Sequence, residues 1–504
     1  MSASGEPEKR TCPSFSRPTW RLGTALFVRG LGLIYLVSFA SLWVQVDGLV
    51  GAQGILPIGE LLARASEVLG PERYWRLPTL VWLAPGDGTL HVLCALGCAL
   101  GVALALGWFP LAMLAALWVL ELSMVTAGQT FFAFQWDNLL LEAGFLALLV
   151  APPTLRLRLS DPPEPPRWGR WLLWWLVVRL HVSSGWVKLA SGDPSWRHLT
   201  ALTVHYENQP LPTWIGWLAH QLPAWWQRVS AAVMFAIELA VPWLAFTTVR
   251  LRRSAAIALV GLQLAIGATG NYTFFNCLTI LLCVTLLDDG FWPARLAPAP
   301  PRPASRSRLR GGSVAAAAAL LGALSLVSFL TTLGLGSVVP GPLQRGLDAV
   351  RPLRTVNGYG LFAVMTTERP EIVVEGSLDG ADWRPYPFRW KPGPLDRRPR
   401  FVAPHQPRLD WQMWFAALGG YRSTPWMPRF LERLLEADPA VLDLLAADPF
   451  AGARPRFVRA RLYRYRFTDW EALRREGRWW SRELLGIYAP EVSLAEPEPA
   501  SGAR

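Results

Sequence analysis

TALFVRGLGLIYLVSFASLWVQV, residues 24–46, carries a single charge, Arg29, in an otherwise apolar or weakly polar run. A helix rises about 1.5 Å per residue, so a run of roughly 20 such residues covers the hydrocarbon core of a bilayer. No water is available there to satisfy open backbone groups, which leaves helices or closed barrels as the spanning forms. Eight more runs of similar character follow, at 89–107, 110–126, 136–152, 171–190, 228–249, 254–270, 271–287 and 313–335. Two pairs abut, around Trp108-Phe109-Pro110 and around Gly270-Asn271, and predict tight turns at the membrane interface. The fold expected is therefore a multi-span α-helical membrane bundle of about nine spans.

Composition agrees, with 52% hydrophobic residues and 27 Trp in 504 residues. The formal charge of +12 does not form the single basic stripe, interleaved with aromatics, that a nucleic-acid surface needs. It collects in short connections instead: Arg156, Arg158, Arg167 and Arg170; Arg250, Arg252 and Arg253; Arg302, Arg306, Arg308 and Arg310. Nine spans starting from a cytoplasmic N-terminus put all three connections on the cytoplasmic side, as the positive-inside rule requires. The loops 47–88, 127–135 and 191–227, and everything after 336, then face the other way. Arginine almost replaces lysine, with Lys9, Lys188 and Lys391 the only lysines, a usage expected of a GC-rich bacterial genome. MSASGEPEKRTC lacks the layout of a cleavable signal peptide, so the first span is read as an uncleaved anchor. Of five cysteines, all but Cys12 lie within apolar runs; Cys94 and Cys98 share a helical face and read as small buried residues.

The expected organisation is a cytoplasmic tail at 1–23, a bundle at 24–290, a Pro/Arg-rich cytoplasmic linker at 291–312, a last span at 313–335, an exoplasmic domain at 341–490 and a disordered tail at 491–504. EIVVEGSLDGADWRPYPFRW (371–390) reads as two strands joined at Asp379-Gly380, and RFVRARLYRYRF (456–467) alternates like another. RFLERLLEADPAVLDLLAADPF (429–450) supplies one or two short helices limited by Pro439 and Pro449. The terminal domain is thus expected to be α+β with a small antiparallel sheet.

Ionisable residues inside spans are costly and mark either interhelical glue or a function. Asp137, Glu142, His181 and Lys188 are of this kind, as are Glu121, Arg179 and Glu238. His181, Ser184, Gly185 and Lys188 share one helical face, and the neighbouring loop adds His198, His205 and Glu207. The readings open here are a Lys188 ion pair with Asp137 or a nearby Glu, a polar pocket opening outward, and an ion path. Were the chain an enzyme, Asp137, Glu142, His181, Lys188, His205 and Glu207 would be its catalytic candidates. PHQPRLDWQMWFAAL (404–418) packs His405, Arg408, Asp410, Trp411, Trp414 and Phe415 together. His405 and Asp410 match an H-x-x-x-x-D acid/base spacing, but that spacing is weakly specific, and a structural hydrogen-bonding or salt-bridge role is the reading preferred for the pair. The aromatic stripe is either domain core or an adaptable face for lipid or client chains. No G-x-S-x-G nucleophile elbow occurs, and the pattern calls for no cofactor or metal ion.

These segments resemble the lipase maturation factors. The resemblance rests on FAFQWDNLLLEAGFLALL (132–149), RLHVSSGWVKLASGDPSWRHLTALTVHYENQPLPT (179–213), NYTFFNCLTILLCVTLLDD (271–289), TVNGYGLFAVMTTERPEIVVEGSLDG (355–380) and PHQPRLDWQMWFAAL, and covers most of residues 20–490. It implies a membrane-resident, non-enzymatic factor that helps secreted lipases or other exported proteins fold and assemble. Its partners would be the lipid bilayer and such a client, bound through His405, Arg408, Asp410, Trp411, Trp414 and Phe415. The setting would be the endoplasmic reticulum membrane in eukaryotic relatives and the cytoplasmic membrane in a bacterium. An integral membrane enzyme acting on a lipid or peptide at the exoplasmic face is the alternative, and a transporter the third.

Overall fold

The computed structural model describes residues 18–299 and 308–494. Cys12, Lys9, Arg302, Arg306 and the last ten residues lie outside them, and with them most of the expected N-terminal tail, the middle of the linker and most of the C-terminal tail.

Nine helices occupy the nine apolar runs: α1 (Arg21–Trp43), α2 (Asp87–Ala105), α3 (Pro110–Ala127), α4 (Gln135–Val150), α5 (Arg167–Ala190), α6 (Ala224–Leu239), α7 (Val249–Thr269), α8 (Phe275–Val284) and α9 (Arg308–Thr332). Among the described residues, six are long and apolar enough to cross a membrane unaided; α6 is among them once extended to Phe246 by a 3-10 turn, and α4, α5 and α8 are the exceptions. The reason differs in each. α4 has 16 residues and α8 only 10, while α5, with 24, carries Arg170, Arg179, His181 and Lys188 in its interior. All three bury most of their side chains among the others, so protein rather than lipid surrounds them. Exposed Leu33, Val92, Leu96, Ile257, Leu264 and Leu320 instead form part of the apolar outside. Small residues set the closest crossing. A Cβ on Gly32 would stand 2.4 Å from the Ala105 amide, and one on Gly101 2.9 Å from the Gly32 carbonyl, so α1 and α2 pack backbone to backbone.

The bundle has two chemically different ends. At one, Arg21 pairs with Asp289 (3.1 Å), Arg170 with Glu164 (2.6 Å) and Arg253 with Asp288 (2.7 Å), while the 107–109 turn bonds to Leu155 and Leu157. Arg170 and Arg252 also lie over the Trp20 and Trp174 rings, 4.1 and 4.3 Å from their centroids. This end gathers the arginine-rich connections. The opposite end holds the loops after α1, α3, α5, α7 and α9, and the described residues C-terminal to them.

There a four-stranded antiparallel sheet forms, in the order β2-β1-β3-β4, from β1 (Arg369–Ser377), β2 (Arg384–Pro385), β3 (Phe457–Phe467) and β4 (Trp480–Val492). The turn at Asp379-Gly380 lies where the sequence puts it, with Gly380 at φ +81°. The second strand of that hairpin, however, shrinks to two residues, because Arg389 and Arg397 tie the rest of 386–397 into a loop on the carbonyls of Phe388, Asp443 and Leu445. β4 has no counterpart in the sequence reading; its exposed Leu484, Leu485 and Ile487 break the alternation that marks a half-buried strand. It also runs two residues past the expected boundary at 490. Two helices, α10 (Arg408–Leu418) and α11 (Met427–Leu435), cover the sheet. One continuous apolar core joins bundle and domain, with Trp411, Met413 and Phe430 in the same cluster as Phe131 and Trp136.

Candidate functional site

The residues expected to meet a client line the seam between domain and bundle, with one exception. Arg408 enters the bundle fully buried and grips Asp137 with both Nη atoms (3.0 and 2.8 Å), while Nη1 also donates to the Phe131 carbonyl (2.9 Å). The guanidinium lies over the Phe132 ring, 3.4 Å from its centroid. Ser41 Oγ accepts from the Gln406 amide (2.9 Å) and shares a hydrogen bond with His405 Nδ1 (2.7 Å). Asp410 accepts the amides of Trp390 and Lys391 (2.9 and 2.8 Å), which commits it to the domain's own loop and separates it from His405 as an acid/base pair. Trp411 packs edge-on against Trp136 (4.7 Å), and Trp414 Nε1 donates to the Asn208 carbonyl (2.9 Å). Only Phe415 is open, at 46% exposure. The physical reason is that α10 lies between the sheet and the bundle and is buried on both sides, polar residues included, so Trp411 and Trp414 have no water to face.

Two further ties hold the seam. Arg369 donates to the carbonyls of Glu207, Gln209 and Pro210 and to Glu371 Oε1, and Lys391 closes on Glu371 Oε2 at 2.8 Å. Glu142 accepts from Arg179, from the Asn357 amide (2.9 Å) and from the Tyr359 hydroxyl (2.8 Å), so the TVNGYG segment is bonded into the middle of the bundle.

The six residues proposed from sequence as a catalytic group are therefore dispersed. Asp137 and Glu142 belong to these ties, and the Glu207 carboxylate receives the Phe467 amide (2.8 Å). His181, Lys188 and His205 remain together on the wall of a cavity of about 410 Å³ between α5, α6 and α7. Lys188 bonds Glu238 Oε2 at 2.8 Å and Oε1 at 3.1 Å, so its counter-charge comes from α6, neither Asp137 nor Glu121 being its partner. Tyr272, Gln263 and Asn276 add further polar groups to the wall, beside the Phe362 ring, and none of the four was singled out as a site residue from sequence. Glu238 had been, as an intramembrane charge; Tyr272 lies in the NYTFF turn, where only its place beside Asn271 could have drawn attention. Among the described residues no three His, Cys, Asp or Glu side chains converge as metal ligands.

Two family models match the chain, one over α1 to α8 and the other over most of the C-terminal domain, with α9 between them. The lipase maturation factor transmembrane domain matches residues 22–294, and the lipase maturation factor C-terminal domain matches 355–490. The chain is 36% identical to lipase maturation factor 2 of Gallus gallus, covering 94% of this chain and 81% of that protein. It is 35% identical to lipase maturation factor 2 of Homo sapiens (95% and 83%) and 32% identical to human lipase maturation factor 1 (95% and 89%). This chain belongs to the lipase maturation factor family. No solved structure matches it.

In this lipase maturation factor two histidines outside the spans give the seam a pH dependence. Burial holds His205 and His405 down to about 4, against an ordinary 6.5, with the Lys188 and Arg408 charges adding to the effect at each. The unfolded chain takes up both protons as pH falls below 6.5 while the folded chain does not, so stability is full above 6.5 and is lost toward 4. Between about pH 7 and about pH 5 each imidazole contributes roughly 1–2 kcal/mol of that loss. Thermal unfolding in detergent should show the midpoint dropping between about pH 7 and about pH 5, with a shallower drop in His405→Gln. A flat profile would contradict the burial of both rings.

Proposed function

We propose that this chain is a membrane-resident lipase maturation factor whose C-terminal domain stands on the exoplasmic face and assists secreted lipases or other exported proteins to fold, without chemistry of its own. The observation that carries the reading is that both parts of the family architecture are present over nearly the whole chain. Sidedness is supported by the arginine-rich end of the bundle lying opposite the domain. An apolar surface shields parts of a client that otherwise aggregate.

With Arg408, Trp411 and Trp414 spent on docking and Asp410 on the domain's own loop, the client surface we assign is the free edge of β4. There Leu484, Leu485 and Ile487 are 51%, 42% and 75% exposed on the outermost strand of the sheet. An extended client segment can add to such an edge through main-chain hydrogen bonds. Co-expression with a secreted lipase, in cells lacking their own maturation factor, should raise active lipase in the medium. No increase over an empty vector would sink the proposal. The double variant Leu484→Glu/Ile487→Glu removes no buried contact and should cost less than about 0.5 kcal/mol of stability. It is expected to lose crosslinking to the client and most of the gain in lipase activity.

A further inference from the structure

The 410 Å³ cavity is a second, separate feature, and its size lies within the roughly 300–1,000 Å³ of small-molecule sites. Its wall is mainly apolar, and Leu222 and Trp226, both exposed, stand at its rim on the flank of α6. Every charge on the wall is matched in place. Lys188 donates to both oxygens of Glu238 and to the Ser184 carbonyl, which uses all three of its protons.

The two imidazoles are neutral by their partners. His181 Nδ1 donates to the Val177 carbonyl (2.8 Å), and its Nε2 accepts from Gln263 (3.3 Å), whose own oxygen receives Asn276 Nδ2 (2.8 Å). Gln209 gives its amide protons to the Tyr206 and Thr269 carbonyls, so its oxygen takes the Tyr272 hydroxyl proton (2.8 Å). Tyr272 Oη must then accept from His205 Nε2 (3.1 Å). That fixes the His205 tautomer and leaves Nδ1 a bare acceptor, buried and without a partner among the described residues. A wall with no net charge excludes phosphate and carboxylate headgroups, since a buried anion needs a free cation. An unmatched acceptor calls for a donor.

We propose that this cavity holds a single-chain neutral lipid bearing a hydroxyl group, drawn from the surrounding bilayer, with its chain along the apolar wall and its hydroxyl at the His205 side. The inference goes beyond lipase maturation and does not depend on it.

The test uses the full chain purified in detergent and a photoreactive 1-monoacylglycerol, with photoreactive fatty acid, lysophosphatidylcholine and phosphatidylglycerol as comparators. Labelling should favour the monoacylglycerol and map to peptides of α5, α6 or the 196–206 loop. Ser230→Leu and Ala265→Leu fill the cavity from two different helices, and each should lower that labelling by about tenfold with the melting temperature held. Glu238→Gln frees Lys188 and should turn the preference toward the fatty acid. Equal or stronger labelling of the wild-type chain by an anionic or zwitterionic lipid overturns the proposal, as does unchanged labelling in both filled variants. Should one filled variant fail to fold, the other and the preference of the wild-type chain still decide.

Discussion

Arg408→Ala is expected to leave a bundle whose C-terminal domain no longer docks. The substitution strands the Asp137 carboxylate, which is 0% exposed and takes both its strong bonds from that guanidinium. Losing one partner of a buried pair costs about 3–5 kcal/mol, because the charge left behind keeps its desolvation penalty and loses its compensation. The Phe131 carbonyl and the Phe132 ring lose their partner as well. Thermal unfolding and limited proteolysis of detergent-purified protein should show a lower midpoint and cleavage in the 333–368 connection. Asp137→Ala should do the same from the other side. The double variant Asp137→Leu/Arg408→Met leaves neither charge buried and should recover most of the loss. If the double variant were as unstable as the sum of the singles, the pair would not be what holds the seam.

Glu142→Ala should be comparably severe, for a related reason inside the bundle. Its carboxylate is the counter-charge of Arg179, 2% exposed, and also the acceptor for Asn357 and Tyr359. Removing it leaves a buried guanidinium and releases the segment between α9 and the sheet, again about 3–5 kcal/mol. Tyr359→Phe supplies the internal scale. It deletes one hydrogen bond and leaves the ion pair, so about 1–2 kcal/mol is expected. The ratio of the two midpoint shifts separates a charge effect from a packing effect, and equal shifts would refute the assignment of Glu142 as the counter-ion. Both variants should also lower lipase secretion in the co-expression assay in proportion to the folded fraction, whereas the β4 double variant lowers it with the fold intact.

The residues that make the family recognisable are largely the residues that join its two halves. TVNGYG carries the Asn357 and Tyr359 contacts to Glu142, and HQPRLDWQMW carries Ser41, Asp137 and Trp136 contacts from the far side of the chain. From sequence the density of polar and aromatic side chains in HQPRLDWQMW is equally compatible with an open binding face. Residue type reports that a surface is specific, and only the fold reports which surface it meets. Arg408 and Asp137 are 271 positions apart, and nothing local to either names the other.

Sequence alone determined the bundle, the alternation of its ends and the α+β character of the terminal domain. Hydrocarbon length, the cost of an open backbone group and the placement of arginine act on each segment independently of its neighbours. Tertiary structure alone decided that Lys188 meets Glu238, that α10 turns its aromatic stripe inward, and that three of six scattered polar residues share one cavity. Those outcomes depend on which helices stand side by side, and a buried charge takes whichever opposite charge the packing brings within hydrogen-bond reach.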